Sequence, residues 1–179
     1  MPFSEQFQLI LAFLQQHPLW LFSTVFLFSL CVGSFLNVVI YRLPKMMEQS
    51  WQQEYQEYFH PTDNHAAAPT FNLATPRSRC PHCNTQLSAL DNIPLVSWLT
   101  LGGKCRYCKA PISARYPAVE LLTALLSTVV IWQTGATGLG ALMLVVTWCL
   151  IALTFIDIDK MLLPDQITLP LLWLVLAAS

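Results

Sequence analysis

Three carboxylates, Asp157, Asp159 and Asp165, share the short stretch Phe155-Ile-Asp-Ile-Asp-Lys-Met-Leu-Leu-Pro-Asp165. The runs on either side of them, 121–156 and 167–179, carry no charged residue. An acidic group costs about 2.5–3.5 kcal/mol at the centre of a membrane helix and less at the interface, so three at one membrane edge ask for a reason. Pro164 stops a helix and Asp165 can cap the next one. Asp159 is open to the same interfacial reading or to chemistry. Asp157 ends an apolar helix directly after Phe155 and Ile156, and its carboxylate is expected to face a polar seam in a helix bundle and to do acid–base work.

A second group of residues has ligand chemistry. Cys80-Pro-His-Cys83 and Cys105-Arg-Tyr-Cys108 are two C-x2-C pairs separated by twenty-one residues. That spacing predicts one zinc ion held by Cys80, Cys83, Cys105 and Cys108. Disulfides are the alternative, and the charge pattern below puts these cysteines in the cytoplasm, where thiols stay reduced. Four thiolates close the coordination sphere, so the zinc is structural. Gly102 and Gly103 are expected to make a turn that points backbone N–H groups at thiolate, and His82 to face solvent. Cys31 and Cys149 read as small apolar fillers inside spans.

The elements that must position these groups belong to a membrane protein. Of the 179 residues, 55% are hydrophobic and 11% charged, against about 25% charged in a soluble domain. A net charge of −1 argues against nucleic acid as a partner. Eight of the nine Lys and Arg residues lie between Arg42 and Arg115, and the ninth is Lys160. By the positive-inside rule that segment and the Lys160 turn are cytoplasmic and the N-terminus is outside.

Pro18 to Tyr41 is long enough to cross the bilayer. Within it Gly33 and Ser34 allow close helix approach, and Asn37 needs a partner in the bundle, although all three also suit ordinary helix packing. Met1 to Gln16 is mildly amphipathic and suits the outer interface or an extension of the first span. Lys45 to Phe59 suits a surface-lying amphipathic helix, and Pro61 to Thr75 a loop. Between the cysteine pairs, Ile93–Leu99 is apolar enough to pack on the ribbon or dip into the membrane surface. The uncharged run 121–156 would be about 54 Å long as one helix. Gly135, Gly138 and Gly140 split it into spans near 117–133 and 139–157, joined by an outer hairpin. A fourth span begins near Gln166 and has about fourteen residues before Ser179, fewer than a crossing needs.

The fold class expected is an all-α polytopic helix bundle of about four spans with a small zinc-ribbon-like cytoplasmic insertion. Its divisions are 1–44, the N-terminal segment and first span; 45–116, the loop with the four-cysteine module; and 117–179, further spans.

Several stretches resemble the bacterial type IV prepilin peptidases. They are Val32-Gly-Ser-Phe-Leu-Asn-Val-Val-Ile-Tyr-Arg-Leu-Pro44, both cysteine pairs, Asn92-Ile-Pro-Leu-Val-Ser97, Gly103-Lys-Cys-Arg-Tyr-Cys-Lys109, Arg115-Tyr-Pro-Ala-Val-Glu120 and Ile156-Asp-Ile-Asp-Lys-Met-Leu-Leu-Pro-Asp165. The resemblance runs from about residue 28 onward. It implies a membrane aspartic endopeptidase of the bacterial inner membrane with its active site facing the cytoplasm. Such an enzyme removes the leader from type IV prepilins and type II secretion pseudopilins, then methylates the new N-terminus with S-adenosylmethionine. The first catalytic aspartate of the family opens the pattern Asp, six residues, Pro, Asp or Asn, which registers on Asp157, Pro164 and Asp165. Asp159 falls where the pattern is looser.

The second catalytic aspartate of the family lies in Gly-x-Gly-Asp, which is absent from these 179 residues. The expectation is therefore an incomplete N-terminal part, inactive alone. No glycine-rich turn marks a methyl-donor site of the Rossmann kind. The competing function is a membrane-anchored zinc-ribbon module for docking or assembly without catalysis; a proton-coupled transporter is weaker, since no internal repeat is visible.

Overall fold

The computed structural model describes residues 3–59, 71–88 and 90–178. The described residues contain six α-helices: α1 (Phe3–Gln16), α2 (Pro18–Phe59), α3 (Val96–Thr100), α4 (Arg115–Thr134), α5 (Gly138–Lys160) and α6 (Asp165–Ala178). A 3-10 turn covers Leu90–Asn92, and the described residues hold isolated β-bridges but no strand. Three helices, α2, α4 and α5, are long and apolar enough to cross a membrane, while α6 is a shorter apolar helix. The architecture is the expected helical membrane bundle with a small four-cysteine insertion.

The bundle core is made where α2, α4 and α5 meet. Leu36, Val39, Ile40 and Leu43 of α2 pack with Val119 of α4 and with Ile151, Ala152 and Ile156 of α5. Gly33 brings α2 and α4 together: a Cβ built on it would sit 2.7 Å from the Glu120 Cα, inside the neighbouring backbone. Only glycine permits that approach without moving a helix. Buried hydroxyls on α4 satisfy themselves within the helix, as a medium without water favours, whereas the buried Ser29 hydroxyl of α2 has no partner among the described residues. Thr123 and Ser127 donate to carbonyls one turn back, and the Trp148 indole donates to Ser127 at 2.9 Å.

The split of the long uncharged run falls where the glycines predict it. Gly135 ends α4 at φ +67°, and Thr137 caps α5 by accepting from the Gly140 N–H at 3.0 Å. Gln15 at the end of α1 donates to the Ala136 carbonyl, so α1 and this hairpin share one end of the bundle. Cys149 is half-buried, but Cys31 is exposed on α2 and does not fill the core.

The first span does not stop near Tyr41. α2 runs unbroken for 42 residues through Pro44 to Phe59. Proline removes one backbone bond and crowds the preceding turn, yet Leu43 and Pro44 are buried and Met47 packs on the core. Tertiary packing carries the helix past its local breaker. Of the loop expected at 61–75, residues 61–70 lie outside the described residues; 71–75 are loop.

Candidate functional site

The two cysteine pairs form knuckles that repeat each other at an offset of 25 residues. In the first, the Cys80 N–H donates to the Thr85 carbonyl at 3.0 Å and Asn84 returns a bond to the Cys80 carbonyl at 2.9 Å. In the second, Cys105 donates to Ala110 at 2.8 Å and Lys109 to Cys105 at 3.0 Å. Asn84 and Lys109 both adopt positive φ, and the bridges Arg79–Gln86 and Lys104–Pro111 close the two turns.

The four sulfurs lie within 4.8 Å of one another, with Cys80 and Cys108 Sγ 3.8 Å apart. Tetrahedral zinc with bonds of about 2.3 Å needs sulfurs about 3.8 Å apart, so the donor set fits that ion. The thiols are unevenly disposed to lose protons. Side-chain and backbone bonds from Thr85 bring Cys83 down to about 6. Backbone bonds from Cys108 and Tyr107 lower Cys105. At Cys108 the backbone bond from Ala110 acts the same way but is outweighed by desolvation and the crowd of three other sulfurs, which push it up to about 11. A dication would relieve that crowding by binding thiolates.

His82 is exposed, as expected. Gly102 and Gly103 form the expected turn at positive φ: their own N–H groups donate to the Leu99 and Trp98 carbonyls, while the Tyr107 and Cys108 N–H groups just after the turn bond to the Cys105 sulfur. Gly103 also makes room for the Trp98 ring, which would lie 3.0 Å from a Cβ at that position. Trp98 donates to the Ile112 carbonyl at 3.2 Å, so α3 packs back on the second knuckle, while Ile93, Val96 and Leu99 stay exposed. Asp91 fastens the same linker. Its carboxylate accepts from the Ser88 N–H and hydroxyl and pairs with Arg106 Nε at 2.7 Å. The Ser88 hydroxyl and then Arg106 hold the Asp91 carboxyl below its usual range.

Three anchors fix this module to one end of the bundle. Arg42, itself buried, donates to the carbonyls of Asn72, Leu73 and Pro76 on the entering chain. Glu120 Oε2 accepts from the Leu95 N–H at 2.8 Å. Arg115, three residues after Ile112, makes a two-pronged pair with Asp159, both N–O distances being 2.7 Å. The Asn37 amide has the bundle partner it needs: it donates to the Tyr116 carbonyl at 3.0 Å.

The aspartates therefore stand at the module's end of the bundle, opposite the Gly135 hairpin. Asp159 is engaged by Arg115, and Lys160 pairs with Glu48 of α2 at 2.8 Å. Asp165 begins α6, which places its charge at the favourable end of the helix dipole. Asp157 is exposed, and its carboxylate has no hydrogen-bond or ion-pair partner among the described residues. The Arg115–Asp159 pair and the Glu120–Leu95 bond had no sequence signal beyond the opposite charges of the first; the 25-residue knuckle repeat could have been read.

A polytopic helix bundle with a four-cysteine module at its carboxylate-bearing end is the class this fold and site define. The pattern of the Bacterial Peptidase A24 N-terminal domain matches residues 27–134, and that of the Type IV leader peptidase family matches residues 144–179. The chain belongs to the bacterial A24 peptidase family of prepilin peptidases.

Among curated relatives it is 66% identical over 156 residues to the prepilin leader peptidase/N-methyltransferase of Aeromonas hydrophila, covering 86% of this chain and 53% of that protein. The protein of the same name from Pseudomonas aeruginosa is 51% identical over 172 residues, or 95% of this chain and 58% of its own length. That of Legionella pneumophila is 44% identical over 171 residues, or 96% and 59%. The chain thus spans little more than half the length of these relatives. No solved structure matches it.

Proposed function

We propose that this chain carries one carboxylate, Asp157, of a membrane aspartic endopeptidase. The enzyme would cleave the leader from type IV prepilins and type II secretion pseudopilins and then methylate the new N-terminus with S-adenosylmethionine. The observation that carries this reading is the contrast between Asp159, bound by Arg115, and the unengaged, exposed Asp157 two residues before it. An aspartic dyad works because two close carboxylates cannot both ionise: one keeps its proton to polarise the scissile carbonyl while the other activates water. Asp157 supplies one of the two. Its mate comes from a Gly-x-Gly-Asp segment outside these 179 residues, and the chain by itself is inactive. The relatives' names and their greater length support this division.

Residues 117–179 begin the peptidase part, 45–116 contain the cytoplasmic segment with the four-cysteine module, and 1–44 the N-terminal segment and first span, with α2 continuing across that last boundary to Phe59. Cys80, Cys83, Cys105 and Cys108 hold zinc, which contributes folding energy and leaves no open position for substrate. Asp157 faces the cytoplasm of a bacterium from its inner membrane. Lys45, Lys104, Lys109 and Arg115 all belong to the loop end of the bundle, as the positive-inside rule requires.

The test grafts residues 1–179 onto the remaining C-terminal part of the Aeromonas hydrophila relative and follows prepilin cleavage in membranes. The graft is expected to cut, and Asp157→Asn to lower kcat by about 1,000-fold or more at unchanged metal content. Full processing by Asp157→Asn, or cleavage by the 179 residues alone, would overturn the proposal; the first result would favour a docking role for the module.

A further inference from the structure

Resting on the reading of Asp157 above, we infer that Arg115 is a positioning residue that sets the rotation of the last turn of α5 and so the direction in which Asp157 is presented. Arg115 grips α5 at two places. Its guanidinium forks onto both oxygens of Asp159, and it reaches the Phe155 carbonyl at 3.5 Å with its charge 5.1 Å from the Phe155 ring centre. Positions 155 and 159 are four apart and share one face of a helix. Asp157, two positions from each, projects from roughly the opposite side. Holding 155 and 159 therefore fixes Asp157 without touching it.

A device of this kind is needed because α5 ends three residues later, at Lys160, with Met161 in the left-handed region and 92% exposed. Terminal turns fray unless tied down. The grip is stiff at its other end too. The Ile112 N–H donates to the Gly103 carbonyl at 2.7 Å, the Lys104–Pro111 bridge closes the second knuckle, and the Ser113 hydroxyl accepts from the Arg115 N–H. Lysine could keep the charge but not the two-pronged geometry.

The test uses the grafted enzyme described above with purified prepilin, and metal content reports folding of the module. Arg115→Gln and Asp159→Asn should each lower kcat about 10–100-fold, the size of effect a small misplacement produces. KM should stay within about threefold, because the interaction lost acts on the chemical step. Arg115→Lys should fall between wild type and Arg115→Gln. Because the two residues act as one unit, the double variant should be no worse than either single, and Arg115→Asp with Asp159→Arg should recover much of the lost rate. Full activity in Asp157→Asn would remove the reading beneath the proposal. With Asp157→Asn inactive, wild-type rates in both Arg115→Gln and Asp159→Asn would overturn the clamp alone, and so would failure of the charge-swapped pair to recover any rate.

Discussion

Glu120 lies inside α4, and its carboxylate takes the N–H of Leu95 from the linker between the two knuckles. Leu95 stands at φ 57°, immediately before α3, so the bond holds a residue in a backbone state it rarely adopts. Replacing Glu120 with leucine leaves that N–H without its acceptor, at a cost of about 1–3 kcal/mol. Glutamine retains an oxygen. Hydrogen exchange at Leu95 should accelerate in Glu120→Leu and change little in Glu120→Gln.

Gly33 faces the same residue from α2. Gly33→Val drives methyl groups into the Glu120 backbone and is expected to destabilise the helix pair by about 1–3 kcal/mol, as overpacking does. Asn37→Leu, which loses the bond to Tyr116, should cost about 0.6–1.7 kcal/mol. Denaturant titration in mixed micelles should rank the two in that order.

One zinc per chain is expected by elemental analysis, and none in Cys105→Ser. Trp98 reports the loss, since it rests on Gly103 and bonds to Ile112 two and seven residues from Cys105. Stripping the metal with a chelator should shift its emission to the red, and the change should disappear in Trp98→Phe.

Asp91 gives the module a pH dependence of known sign. Because Ser88 and Arg106 hold its folded carboxyl below the unfolded value of about 3.9, its stabilising effect is complete above that value and is lost as pH falls through the folded one. The stability gap between wild type and Asp91→Asn should be constant from pH 7 to pH 5 and shrink below pH 4. A gap that widened on acidification would contradict the assigned partners.

Much of this arrangement could be read from residues alone because the signals were local. The C-x2-C spacing marked the knuckles, Gly135 the hairpin between α4 and α5, and the uncharged run 121–156 the two long apolar helices now seen as α4 and α5. What escaped depended on tertiary partners. A first span to Tyr41 and a separate surface-lying helix over Lys45 to Phe59 were expected, and one helix joins them because Leu43, Pro44 and Met47 pack on the core. Asp159 was ambiguous between interface and chemistry until Arg115 arrived from 44 residues away. Opposite charges that distant in sequence have too many pairings to be matched without a fold.

The unbroken α2 has a mechanical consequence. Its 42 residues make a rod of about 63 Å, twice the thickness of a hydrocarbon layer of about 30 Å. If a bundle holding it leans by about 20°, an ordinary angle for a membrane helix, the half of the rod outside the lipid sweeps sideways by about 11 Å. With the apolar half of α2 in the lipid, the aromatic tip at Tyr58 and Phe59 would move far more with bilayer thickness than Asp159 and Lys160, which are tied to the bundle through Arg115 and Glu48.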